Sequence, residues 1–161
     1  MLPFLSWLQS SFIGHAMRES GVSTYGIVNL LHILSVSTLF GSILILDLRL
    51  LGVWRKINLA SITAPVVPLA AIGFTMATLT GIGLLATKAT EYDGNPFVYI
   101  KFPAIALGLA NVALLSNLTA WKQHRLRELT PAEQSKLAVY GGVSLVCWLT
   151  AITAGRMIGY W

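Results

Sequence analysis

The chain has 161 residues, a length that fits one domain, and it is 55% hydrophobic but only 11% charged, where soluble domains carry about 25% charged residues. The shortfall falls in long uncharged runs, with a mean hydropathy of +0.72, which excludes an ordinary soluble fold and points to the bilayer as solvent. The net charge of +5 sits in short stretches between apolar runs, so it reads as a determinant of membrane orientation rather than a nucleic-acid surface.

Residues 1–20 carry Leu2, Leu5, Leu8, Phe12 and Ala16 at helical spacing, with Gln9, Ser10, His15 and Arg18 elsewhere. The segment is too short and too interrupted to span. It also lacks the basic start and small-residue cleavage site of a signal peptide, so it is predicted to be an amphipathic interfacial helix ended by Gly21. The first span is predicted over residues 25–46. It has no charge, its strongly polar members are Asn29 and His32, and Ser35, Ser37, Thr38, Gly41 and Ser42 offer small surfaces for close helix approach.

The second span is predicted over residues 62–87, with Pro65 and Pro68 in its first turns and Gly73, Ala77 and Gly81 forming a ladder of small residues. Asp93-Gly94-Asn95-Pro96 is strong turn chemistry. A third span follows over residues 97–118, where Lys101, Ala104, Gly108 and Asn111 share one helix face. A polar link, residues 121–135, contains Lys122, His124, Arg125 and Arg127 and leads into Thr130-Pro131-Ala132-Glu133, a helix start with a threonine cap, a proline and a glutamate. The fourth span is predicted over residues 137–158 and closes on aromatic Tyr160 and Trp161. These elements predict an all-α integral membrane protein, an antiparallel four-helix bundle with an N-terminal interfacial helix. Cys147, the single cysteine, cannot form an internal disulfide and reads as a small apolar residue.

Arg49, Arg55 and Lys56 follow the first span, and Lys122, Arg125, Arg127 and Lys136 follow the third. The excess of Lys and Arg assigns both loops to the cytoplasm of a bacterial inner membrane, with both termini periplasmic. Helix rise then sets His32 about 10 Å below the outer end of its span, and Lys101 and Arg156 about 6 Å in. His124, about 34 Å of helix away from Lys101, is expected to be solvated in its basic link.

An ionisable group inside a membrane costs enough to be a functional candidate by default. For His32 three readings stand: a helix–helix hydrogen bond to Asn29, Ser35 or Asn111, a haem or metal ligand, or a proton relay. Lys101 and Arg156 read either as snorkelling to lipid phosphate or as anion ligands for a haem propionate or a quinone oxygen. His15 reads as an exposed interfacial residue or a second axial ligand. His32, Lys101, Arg156, Asn29, Asn111 and His15 are therefore the candidate cofactor contacts, with His32 and His15 the candidate metal ligands. Met17, Met76 and Met157 read as core filler or as soft Cu(I) ligands. Asp47 and Arg49 do not face each other at their i,i+2 spacing, so each is expected to pair with another helix or loop. No catalytic triad, phosphate loop or CxxC motif is present.

Asn29-Leu30-Leu31-His32, Gly41 and Asp47-Leu48-Arg49-Leu50-Leu51-Gly52 resemble the signature of a bacterial membrane family of unknown function. Thr80-Gly81, Asn95-Pro96-Phe97 with Lys101, and Trp148 with Gly155-Arg156 and Tyr160 agree, so the resemblance covers nearly the whole chain. More distantly the chain is similar to the copper-resistance D (CopD) membrane domain and to HemJ-type protoporphyrinogen oxidases, which are four-helix membrane haem proteins. The oxidase pattern is richer in tryptophan around its histidine and ends in Pro-Arg-Leu, and the copper group is larger. The resemblance implies His32 as the haem or metal ligand and Lys101 as a second essential polar group. The function expected is haem b binding in the outer half of the bundle, serving electron transfer or a membrane redox complex. Copper handling at the periplasmic face and a cofactor-free structural subunit are the alternatives, and the expected partners are the bilayer and a larger complex or a second copy of the chain.

Overall fold

Four helices are long and apolar enough to cross a membrane: Gly21–Leu50, Leu59–Thr87, Pro96–Asn117 and Pro131–Tyr160. The computed structural model describes every residue from Met1 to Trp161 and contains no strand. In chain order the α-helices are α1 (Leu2–Ser10), α2 (Phe12–Glu19), α3 (Gly21–Leu50), α4 (Leu59–Thr87), α5 (Pro96–Asn117), α6 (Thr119–Gln123) and α7 (Pro131–Met157), with 3₁₀ turns at Ala89–Tyr92 and Ile158–Tyr160.

All four predicted spans are present, and each helix begins before its apolar run does. The 30 residues of α3 extend for about 45 Å at 1.5 Å per residue, longer than a hydrocarbon core of about 30 Å, so polar end turns continue the helix beyond the apolar stretch. The early start of α4 moves Pro65 and Pro68 from the expected first turn into the helix interior. There their missing amides leave the carbonyls of Ser61 and Ala64 without their usual partners four residues on.

The chain divides into two units, one of Met1–Leu39 with Ala70–Asn95, the other of Phe40–Leu69 with Pro96–Trp161. In the first unit the expected single N-terminal helix is two helices. Ser11 breaks it in an extended conformation: its hydroxyl donates to the Leu8 carbonyl at 2.6 Å and accepts from the Gly14 amide at 3.3 Å. Only Leu5 and Leu8 of the predicted apolar face are buried, packed on Ala86 and Ala89. The Gln9 side-chain oxygen fixes this docking by accepting from both the amide and the hydroxyl of Thr90 at 2.8 Å. Between α3 and α4 the small-residue ladder works as expected. Gly73 lies so close that a Cβ on it would stand 2.7 Å from the Leu39 amide nitrogen and 3.0 Å from the Ser35 carbonyl oxygen.

In the second unit α5 and α7 pack against each other along their length. The face predicted for α5 is buried at Ala104, Gly108 and Asn111, and α7 answers with Gly141, Ser144, Trp148 and Ala151. A core of Leu50, Leu59, Leu115, Ala120 and Leu137 closes one end. The predicted start of α7 forms a full capping box: Thr130 accepts from the Glu133 amide while the Glu133 carboxylate accepts from the Thr130 amide. Away from these contacts, large apolar side chains stand open, among them Leu79, Leu107, Val139 and Val146. In water such a surface would be an aggregation hazard, whereas hydrocarbon is an equally apolar neighbour.

Candidate functional site

His32 lies on the inward face of α3, in series with Val28, Ser35 and Leu39, while Asn29 lies exposed. Its Nδ1 is 3.0 Å from the hydroxyl oxygen of Thr80 on α4. That hydroxyl has one proton, and it lies 2.6 Å from the Met76 carbonyl, which takes it. At the His32 contact Thr80 therefore accepts and Nδ1–H donates, which makes Nε2 the nitrogen that carries the ring's lone pair. Gly81 completes the seat, since a Cβ there would come within 3.1 Å of His32 Cε1. Thr80-Gly81 is thus a receptor for the imidazole: the threonine orients it and the glycine admits it. Ser35 donates to the Leu31 carbonyl, and in the second unit Asn111 donates to the Tyr140 carbonyl at 3.0 Å, tying α5 to α7.

Met17 of α2 packs its sulfur against Gly83, which Val28 of α3, one helical turn before His32, also flanks. Met76 and Met157 are exposed rather than core-filling. His15 is also exposed and lines an open surface groove with Gln9, Arg18 and Thr90. Nowhere do three or more His, Cys, Asp or Glu side chains converge as a metal-binding group.

In the second unit the aliphatic chain of Lys101 runs along Gly155, with Nζ 3.4 Å from where a Cβ would be. The next residue, Arg156, stacks its guanidinium 4.6 Å from the Tyr160 ring centre and donates to the Tyr160 hydroxyl. Neither cation has a carboxylate partner, since the ion pairs of the chain are Lys88–Glu91 and Arg127–Glu133.

The Asp47–Gly52 signature resolves into separate tasks. Asp47 is 3% exposed, held by the Ser144 hydroxyl, and its Oδ2 has no hydrogen-bond partner. Leu50 packs against Gly141, where a Cβ would meet Leu50 Cβ at 2.9 Å. Arg49 donates to the carbonyls of Ile57 (2.9 Å) and Arg55 (3.4 Å), drawing the loop back onto its helix. Gly52 turns the chain with φ +103°, a conformation that strains any side chain. As expected, Asp47 and Arg49 pair with other elements.

His124 departs from expectation. It is 7% exposed rather than solvated, because the link before it folds into α6 and turns the ring inward. There it stacks on Trp121 with centroids 4.8 Å apart, gives Nδ1–H to the Trp121 carbonyl, and meets the buried Thr63 hydroxyl through Nε2 at 2.8 Å. The residues around it gave no periodicity, and the hydroxyl partner lies 61 positions away, so only the tertiary structure reveals the contact.

Four spanning-length apolar helices with large side chains open on their outer faces define a multi-span membrane protein. The chain belongs to the family of unknown function DUF6644, whose sequence model matches residues 4–161. No curated protein and no solved structure matches it.

Proposed function

We propose that this membrane protein binds haem b with His32 as an axial ligand and serves electron transfer or a membrane redox complex. The observation that carries the reading is the hydrogen bond from His32 Nδ1 to Thr80. An iron-ligating imidazole presents one nitrogen lone pair and donates its other N–H to a fixed acceptor, which sets the tautomer and raises ligand basicity. Thr80 has the chemistry of that acceptor. When bound, haem supplies a one-electron couple; the protein's part is to orient the ring and to compensate charge. Lys101 and Arg156, two cations without carboxylate partners, have the chemistry for propionates, whereas Asn29, Asn111 and His15 are subsidiary contacts in this reading. The membrane is taken as the bacterial inner membrane, with both termini periplasmic, the helices arranged as an antiparallel bundle and α1–α2 lying at the interface.

Copper at the periplasmic face is the second reading, favoured by the thioether of Met17 beside Gly83, two residues after the Gly81 that seats His32. Haem ranks above it because the macrocycle already supplies four iron ligands, so one histidine suffices. A copper centre would need more donors than the structure gathers in one place. A cofactor-free structural subunit is the third, since the His32–Thr80 bond also joins two helices. Absorption spectra of the oxidised and reduced protein, purified after haem-replete expression, separate the three. A Soret band with a sharpened reduced spectrum supports haem, stoichiometric copper after equilibration without that band supports copper, and neither supports the structural reading.

A further inference from the structure

A second cavity lies wholly within the second unit, and the haem reading does not use it. It encloses about 750 Å³ between the end of α3, the loop to α4, the α6–α7 link and the start of α7. Its walls carry Arg49, Arg55, Lys56, Arg125 and Arg127 against a single lining acid, Glu128. Two of these cations are already engaged. Arg127 forms a bidentate pair with Glu133 at 2.9 and 2.5 Å, which pushes its guanidinium above the ordinary range, and Arg49 holds loop carbonyls. Arg55, Lys56 and Arg125 have no carboxylate within ion-pair distance. Arg55 is also positioned: its guanidinium folds over Gly52, where a Cβ would lie 2.7 Å from Nε.

The rim has the opposite chemistry. Leu126, which lines the cavity, is 84% exposed, and Trp54, next to the lining Arg55 in the chain, is 49% exposed, with Val53 and Ile57 open in the same loop. Side chains of this kind next to the end of a spanning helix belong at the membrane interface, where tryptophan is enriched. A soluble anion would satisfy the cations and leave the rim in water. A polar, cationic hollow with an apolar margin matches a molecule with an anionic head and hydrocarbon tails. We propose that the cleft between the α3–α4 loop and the α6–α7 link, through Arg55, Lys56 and Arg125, binds the headgroup of an anionic phospholipid, with Trp54 and Leu126 against its acyl chains.

The test uses the full-length protein, delipidated in neutral detergent and titrated with phosphatidylglycerol or phosphatidylcholine, with retained lipid read by native mass spectrometry. Wild type is expected to retain phosphatidylglycerol selectively. Each cation at such a surface contributes about fivefold in affinity, so combining R55Q, K56Q and R125Q should weaken retention roughly a hundredfold. Combining K88Q, K122Q and K136Q, which removes the same charge at positions that do not line the cleft, should weaken retention far less, because charges away from the headgroup are screened. If the triple cleft variant fails to fold, R125Q alone should lose about fivefold, and R125K should retain the wild-type affinity. Equal retention of the two lipids would overturn the proposal, as would equal losses in the two triple variants or an R125Q variant that binds as wild type. Displacement of phosphatidylglycerol by an equal concentration of inorganic phosphate would also overturn it, by marking a soluble-anion site.

Discussion

A valine at position 80 keeps the shape of threonine and removes the oxygen that accepts from His32 Nδ1. If His32 ligates iron, Thr80→Val should leave the helical content intact while lowering haem affinity about 10–100-fold, the usual cost of losing an outer-shell partner. Haem titration of the purified apoprotein measures this, and unchanged affinity would separate Thr80 from ligation. His32 itself was legible in the sequence because a lone imidazole in an uncharged run is conspicuous. Its partner was not, because pairing residues 48 positions apart needs the register of α3 against α4, and a threonine in an apolar helix ordinarily bonds its own backbone, as Thr75 and Thr78 do. Asn29 shows the converse. It lies one helical turn from His32, yet it falls on the exposed side, and only burial separates the two.

At the scale of elements, close approach and capping decide the packing. Gly73→Ala would bring a Cβ to 2.7 Å from backbone on α3, and neither backbone can rotate away as a side chain would. The substitution should destabilise the protein by about 1–3 kcal/mol, the cost of overpacking a well-fitted contact, read as an earlier thermal unfolding transition in detergent. Thr130→Ala removes one half of the capping box of α7 and should cost about 1 kcal/mol while leaving any bound chromophore unchanged. Both features were readable beforehand, because a ladder of small residues and a Thr-Pro-Ala-Glu start are local patterns. The break at Ser11 was less so. The apolar spacing runs straight through it, and the break accompanies docking of Leu5, Leu8 and Gln9 onto the end of α4 and the 3₁₀ turn that follows it. The inward turn of His124 failed for the same reason, since α6 exists to place Trp121 and Ala120 against the core.

For the molecule as a whole, the bilayer explains both what is exposed and what is small at helix contacts. Hydropathy made the four spans legible because crossing hydrocarbon demands about 20 apolar residues and leaves little freedom in where they fall. The same constraint hides chemistry, since lipid-facing and cofactor-facing apolar residues look alike in sequence. Asp47-Leu48-Arg49-Leu50-Leu51-Gly52 shows how much of a conspicuous motif is architectural: its charged residues hold α7 and the loop. The functional claim therefore returns to His32. The most direct measurement is the haem-to-protein ratio of wild type and His32→Ala, expressed with ample haem, purified in parallel and matched for helical content. The account predicts near-stoichiometric haem in wild type and a loss in the variant larger than the roughly 10–100-fold expected for an outer-shell group. Haem absent from wild type, or equal in both, would contradict it.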